Sequence, residues 1–90
     1  MKHAGEQALE ALEPLLRQLR THTTLREKKR GSFYYQSSGF LHFHEDPAGL
    51  FADLKLGGDY QRFPVSTGAE RKLLLQRVAA LVHGDSARRK

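Results

Sequence analysis

The segment 40–56 constrains the fold most strongly, because apolar and polar residues alternate along it on both sides of a turn sequence. Alternation with a period of two is typical of β-strands that bury one face. The turn at 46–49, Asp-Pro-Ala-Gly, suits a type I turn, since Asp caps the turn backbone, Pro presets φ and Gly is favoured at the fourth position. We therefore predict an antiparallel hairpin in which Glu45 pairs with Leu50.

This register assigns the hairpin side chains to two faces of the sheet. A shift of one residue would place apolar residues opposite polar ones throughout, so the pairing is well specified. Two glycines at 57–58 mark a second tight turn into a strand at 60–65, which places Arg62 opposite Asp53. One face is apolar and contains Leu41, Phe43, Ala52, Leu54, Phe63 and Val65. The opposite face carries the predicted row His42–Asp53–Arg62, flanked by Phe40, His44, Phe51 and Tyr60.

Amphipathic patterns predict a helix at each end of the chain. At 4–20, leucines recur at spacings of three and four, as on one face of a helix. Pro14 lies inside this pattern, where a proline costs about 3 kcal/mol. We favour one kinked helix over a new helix that begins at Pro14, because the leucine stripe keeps its phase. Thr67 and Glu70 form a capping-box sequence that opens the second helix, and Gly84 is a predicted stop.

One further strand is predicted before the hairpin. Residues 32–36 have strand character, and 37–39 form a loop of either two or three residues. A three-residue loop would turn Phe33 and Tyr35 inward, whereas a two-residue loop would turn Tyr34 inward. The pattern leaves both alternatives open.

These elements predict an α+β fold. The expected architecture is a two-layer sandwich, with an antiparallel meander of three or four strands and both helices packed on its apolar face. Residues 25–30 are interpreted as a basic link between the first helix and the sheet. We predict a single domain over 1–84 and a disordered basic tail over 85–90.

Composition narrows the classes of function. The 90 residues include no cysteine, which excludes disulfides and thiolate metal sites. The chain has no apolar run long enough to cross a bilayer and no signal-peptide pattern at its start, so we predict a cytoplasmic protein with no membrane partner. The net charge of +5 divides into +3 at 26–30 and +2 at 85–90. The rest of the chain is neutral, which argues against a broad nucleic-acid-binding surface.

The segment 31–82 resembles a group of short uncharacterised bacterial proteins of α-β-β-β-α type. The resemblance is carried by Phe-Leu-His-Phe-His-Glu-Asp at 40–46, by Gly-Leu-Phe-Ala-Asp at 49–53 and by the capped C-terminal helix. It implies a bacterial source and this order of elements, and it implies no activity.

The histidines of the central strand suggest a metal site. His42 and His44 lie two residues apart, so they project from the same face about 6–7 Å apart, and Asp53 could supply a third ligand. The alternative is that both are surface or interface residues, with His42 hydrogen-bonded to Asp53, and we predict no cofactor on that basis. A His–Asp pair also occurs in hydrolytic triads, but no nucleophile elbow accompanies it here, so we assign no catalytic residue.

Weak, sequence-tolerant nucleic-acid binding is a second alternative. A basic run leads directly into aromatic residues, and an open sheet bearing aromatic side chains can stack bases. The alternative without a binding role is a basic linker exposed to solvent. The candidate residues are Arg26, Lys28, Lys29, Arg30, Tyr34 and Tyr35.

Self-association is the interpretation that the sequence favours. A face that bears Phe40, Phe51 and Tyr60 has more apolar surface than scattered single residues, and two copies could join across a two-fold axis. We therefore predict a non-catalytic interaction module that forms a homodimer through this face or binds an unidentified protein partner.

Overall fold

The structure, a computed structural model, describes the backbone of residues 2–88 and the side chains of residues 2–83. Its elements, in chain order, are β1 (Lys2–His3), α1 (Glu6–Leu19), β2 (Leu25–Lys29), β3 (Ser32–Tyr35), β4 (Ser38–Asp46), β5 (Gly49–Leu56), β6 (Asp59–Pro64) and α2 (Gly68–Arg88). Strands β2 to β6 form an antiparallel meander in sequence order, and β1 pairs with β4. The predicted α+β class with a helix near each end is confirmed, whereas the predicted number of strands is too low.

Two of the six strands were not predicted, each for a physical reason. The segment Leu25–Lys29 was interpreted as a link because four of its five residues are charged, yet it is the edge strand β2. Charged side chains are common on edge strands, where they discourage pairing with other chains. Strand β1 has only two residues, which is too short for any alternation to be visible.

The register of β4, β5 and β6 is confirmed residue by residue. Glu45 pairs with Leu50, His42 with Asp53, and Asp53 with Arg62. The backbone N–H of Ala48 donates to Asp46 Oδ1 over 3.0 Å, which is the turn cap that the sequence predicts. The two-glycine loop before β6 has positive φ at both positions.

A β-bulge before Leu41 changes the direction of one aromatic side chain. The loop between β3 and β4 has two residues, Gln36 and Ser37, both with positive φ. Tyr34 pairs with Gly39, but Phe33 pairs with Leu41, so Phe40 is an extra residue in β4. A bulge of this kind reverses the side-chain alternation on one side of the ladder. Phe33 is therefore buried despite the two-residue loop, and the expectation that such a loop would turn Tyr34 inward is wrong.

The apolar face of the sheet and the two helices enclose one core. Helix α1 is continuous through Pro14, in agreement with the single helix favoured above. Its buried leucines pack with the sheet residues and with α2 residues in a single cluster. The members of this cluster include Leu12, Leu15, Leu16, Leu19, Leu41, Phe43, Ala52, Leu54, Val65, Leu74, Val78 and Val82.

Helix α2 begins where the sequence predicts, but it ends later than predicted. Glu70 N–H donates to Thr67 Oγ1 over 3.2 Å, and Thr67 N–H donates to Glu70 Oε1 over 3.0 Å, which completes the predicted capping box. The helix continues through Gly84 to Arg88, because a single glycine costs a helix only about 1 kcal/mol. Residues 85–88 of the predicted disordered tail are therefore helical, and 89–90 lie outside the described residues. Neither helix, over its described residues, is long and apolar enough to span a membrane.

Candidate metal centre

The predicted row of His42, Asp53 and Arg62 is present on the sheet face opposite the helices, which we call the histidine face. Asp53 is 8% exposed, and its carboxylate accepts two hydrogen bonds from Arg62, from Nε to Oδ1 over 2.8 Å and from Nη2 to Oδ2 over 2.9 Å. This two-pronged pairing lowers the pKa of Asp53 below its ordinary value, against the opposing effect of burial. Asp53 is therefore an anion whose oxygens are already engaged.

Asp53 contacts His44, and not His42 as the sequence-based interpretation has it, and this contact indicates the tautomer of His44. The Nε2 atom of His44 lies 3.0 Å from Asp53 Oδ2 and 3.1 Å from His42 Nδ1. A carboxylate can only accept, so we assign the ring proton of neutral His44 to Nε2. The other nitrogen, Nδ1, then carries a lone pair, and it is buried without a hydrogen-bond partner among the described residues. A histidine that donates one N–H to a carboxylate and keeps the other nitrogen free has the arrangement of a metal ligand.

A third histidine, His3, joins the pair from the N-terminal strand. In β1, His3 pairs with His44 and Lys2 pairs with Glu45. The segment is held by two further hydrogen bonds: Ala4 N–H donates to the Phe43 carbonyl over 3.0 Å, and Gly5 N–H donates to Glu45 Oε2 over 2.6 Å. Residues directly opposite each other in an antiparallel pair project to the same face. This pairing is what brings His3 to the other two histidines.

The three histidines form one cluster of rings. His3 stacks on His44 with ring centroids 4.7 Å apart, and His42 lies 5.0 Å from His44 and 5.8 Å from His3. One ring nitrogen from each of the three lies within 4.8 Å of the others. His3 is exposed and the other two are half-buried. The sequence indicated His42 and His44, but it contained no signal for His3.

Burial lowers the pKa of His42, and the neighbouring His44 and His3 lower it further, while the Asp53 anion opposes them. A lower pKa keeps the His42 ring neutral at pH 7, and only a neutral imidazole has a lone pair for a metal.

The predicted interaction face is smaller than expected. Phe40 is 6% exposed and belongs to the core cluster, where its ring lies 5.3 Å from that of Tyr35. Its assignment to the histidine face is wrong, because the bulge directs it to the same side as Leu41. Phe51 is half-buried, and Tyr60 is 44% exposed with its ring 4.8 Å from His42. Of the three aromatic residues predicted for this face, Phe51 and Tyr60 remain on it.

The residues predicted to bind nucleic acid do not share one environment. Arg30 pairs with Glu10 over 2.6 Å and with Glu13 over 2.8 Å, so it is neutralised by α1. Tyr35 packs against the core. Arg26 and Lys28 have no carboxylate partner among the described side chains, and Lys28 Nζ lies 4.4 Å from the centroid of the Tyr34 ring. Lys29 is exposed near the end of β2.

Acid should weaken the ion pairs that Glu13 of α1 forms with Arg20 and Arg30, the residues that follow α1 and β2. Hydrogen bonds from Arg30 and Arg20 lower the pKa of Glu13 from 4.5 to about 2. A depressed folded-state pKa adds stability above pH 4.5, and this stability is lost as the pH falls toward 2. We expect the free energy of unfolding to fall less between pH 6 and pH 3 in Glu13→Gln than in the wild type, measured by urea denaturation. Equal pH dependence of the two proteins would contradict the prediction.

Comparison of the chain with protein-family models, curated proteins and solved structures finds no match. The resemblance to short bacterial proteins therefore stays a prediction.

Proposed function

We propose that this protein binds a divalent transition-metal ion through His3, His42 and His44 on the open face of its sheet. The observation that carries the proposal is the convergence of three ring nitrogens, from two paired strands, within 4.8 Å of one another. Imidazole suits Zn²⁺, Ni²⁺ and Cu²⁺, whereas Mg²⁺ and Ca²⁺ prefer oxygen ligands.

The role of Asp53 differs from that in the sequence-based hypothesis. Its two oxygens accept hydrogen bonds from Arg62, and one of them also faces His44 Nε2. We assign Asp53 to orienting His44 instead of to direct coordination. Partners of this kind fix the orientation of a ligating ring and raise its basicity.

Three protein ligands leave a position for a water molecule or a small ligand. Structural zinc sites have four protein ligands, whereas sites with three protein ligands keep one open. The exposed His3 ring would turn about its side-chain bonds to close on the ion, since in the free protein it stacks on His44. The open position would face solvent beside Tyr60, whose ring is in contact with His42.

The proposal is tested by thermal denaturation of the untagged chain with and without Zn²⁺. Free zinc at 100 times Kd should stabilise the folded state by about 2.7 kcal/mol, which raises Tm by roughly 10–20 °C in a domain of this size. His3→Ala, His42→Ala and His44→Ala should each abolish most of this rise, and Mg²⁺ should not replace zinc.

His22→Ala is the matched control. His22 follows α1 and contacts the ring of His83, so it is a histidine outside the cluster. This variant should keep the full zinc response. Loss of the response in His22→Ala, or no response of the wild type to zinc, nickel or copper, would overturn the proposal.

Self-association through the same face is a second proposal, favoured by one observation. Tyr60 is one of two large apolar residues exposed among the described side chains, and it lies on the histidine face. We expect sedimentation equilibrium to give a dimer mass for the wild type and a monomer mass for Phe51→Glu, because a carboxylate at this position would be buried in the interface. A wild-type monomer at all concentrations would exclude this proposal.

A further inference from the structure

The end of the sheet that carries β2 and β3 has a basic cavity that the metal site does not use. Its volume is about 260 Å³, and its lining consists of Thr24, Arg26, Lys28, Tyr34, Gln36 and Ser37. The lining contains two cations, two hydroxyl groups, one amide and one phenol, and it contains no carboxylate. Neither cation forms an ion pair with a described carboxylate. Such a lining is complementary to an anion with several oxygens.

The cavity opens on the same sheet face as the histidine cluster. Arg26 pairs with Tyr34, and Tyr34 pairs with Gly39. A Cβ atom at Gly39 would lie 2.8 Å from the hydroxyl oxygen of Tyr60. The missing side chain therefore lets Tyr60, which belongs to β6, reach across β5 toward Tyr34.

Two phenol rings thus stand on one surface, on either side of Gly39, with two cations at the edge. Tyr60 is 44% exposed, and Tyr34 is half-buried beneath the Lys28 ammonium group. From β2 to β6 the sheet is about 19 Å wide, at about 4.8 Å per strand. That width spans several nucleotides of a single strand.

We propose that this surface binds single-stranded nucleic acid, with Arg26 and Lys28 on the phosphates and Tyr34 and Tyr60 stacked on bases. Lys28, which lies over the Tyr34 ring in the free protein, would move from the ring to a phosphate. Phosphates attract unpaired cations, and bases stack on aromatic rings only when they are not enclosed in a duplex. An acidic peptide would satisfy the cations, but it would leave the two rings without a partner. The proposal does not depend on the metal site.

The test is fluorescence anisotropy with labelled single-stranded RNA and DNA of about 12 nucleotides, a length within the usual range for such surfaces. EDTA is present throughout, so that the histidine cluster contributes no metal. We expect binding at low salt that weakens as salt rises, because each phosphate contact releases counterions. Tyr34→Leu and Tyr60→Leu should each lower the affinity about 5- to 150-fold.

Arg26→Gln/Lys28→Gln should reduce the slope of log affinity against log salt by about 0.7 for each cation removed. Lys72→Gln/Arg77→Gln removes the same charge from exposed positions of α2 and should leave the slope unchanged. Circular dichroism establishes that all variants are folded. Equal effects of the two double variants, no binding at low salt, or equally tight binding of an oligo-glutamate peptide would each overturn the proposal.

Discussion

Phe40→Ala is expected to lower the free energy of unfolding by about 3–5 kcal/mol, the usual range for removing a buried phenylalanine side chain. The Phe40 ring is 6% exposed and belongs to the cluster that both helices complete. Its loss would leave a cavity in this cluster, which the surrounding structure relaxes to fill only in part. Urea denaturation of the wild type and the variant measures the difference.

Phe51→Ala is the matched control, because it removes the same side chain from the opposite face of the sheet. Phe51 is half-buried, so we expect a smaller loss of about 1–2 kcal/mol. Equal losses in the two variants would mean that Phe40 lies on the histidine face, as simple alternation predicts, and that the bulge is absent.

Gly31→Val is expected to lower the free energy of unfolding by about 2–4 kcal/mol, through backbone strain and overpacking. Gly31 is buried between β2 and β3 with a φ of +82°, a conformation that β-branched residues very rarely adopt. A Cβ atom there would lie 2.6 Å from Leu9 Cδ2 of α1. The position also anchors the corner, since Gly31 N–H donates to Glu27 Oε2 over 2.9 Å.

Gly57→Asn controls for a positive φ without the crowding. Gly57 has a φ of +65°, and a Cβ atom there would have no neighbour within 4 Å. Asparagine tolerates this backbone region, so the loss should stay below about 1 kcal/mol. A loss in Gly31→Val as small as that in Gly57→Asn would show that the Leu9 side chain moves aside and that the backbone strain at Gly31 costs little.

Phe40→Ala and Gly31→Val also bear on function, because Phe40 and Gly31 lie next to residues of the sheet face that carries the histidines. The bulge directs the Phe40 ring into the core, so this ring adds no apolar surface to the histidine face. The corner at Gly31 joins β2 to β3 beside Ser32, which pairs with His42, and it lines one cavity together with His3. Arg26 and Tyr34 pair farther along the same hairpin, so we expect damage at this corner to affect the histidine cluster before it affects the Arg26–Tyr34 pair.

Local sequence patterns were sufficient to predict the central part of the sheet. Turn residues at 46–49 and 57–58 specify where β4, β5 and β6 reverse, and alternation specifies which side chains share a face. These local signals were sufficient to predict that His42, Asp53 and Arg62 lie in one row. The capping box of Thr67 and Glu70 is equally local, since both hydrogen bonds join residues three positions apart.

Features that depend on distant or irregular contacts could not be predicted from local patterns and became visible in the folded protein. The bulge at Phe40 is one extra residue in a ladder, and alternation carries no mark of where such a residue lies. The edge strand β2 has the composition of a solvated link, and its position follows from backbone pairing with β3. The ion pairs Arg20–Glu27 and Arg30–Glu10 accompany this pairing, and no local pattern reveals them.

His3 is the clearest case, because it reaches the cluster by pairing with a residue 41 positions away in the chain. Two residues cannot show a period, and the hydrogen bonds that hold the following residues, Ala4 and Gly5, are accepted by Phe43 and Glu45. The sequence therefore indicated two of the three histidines, on the strand whose alternation is visible. The third donor, and with it the proposed metal centre, follows from the docking of the N-terminal segment on β4.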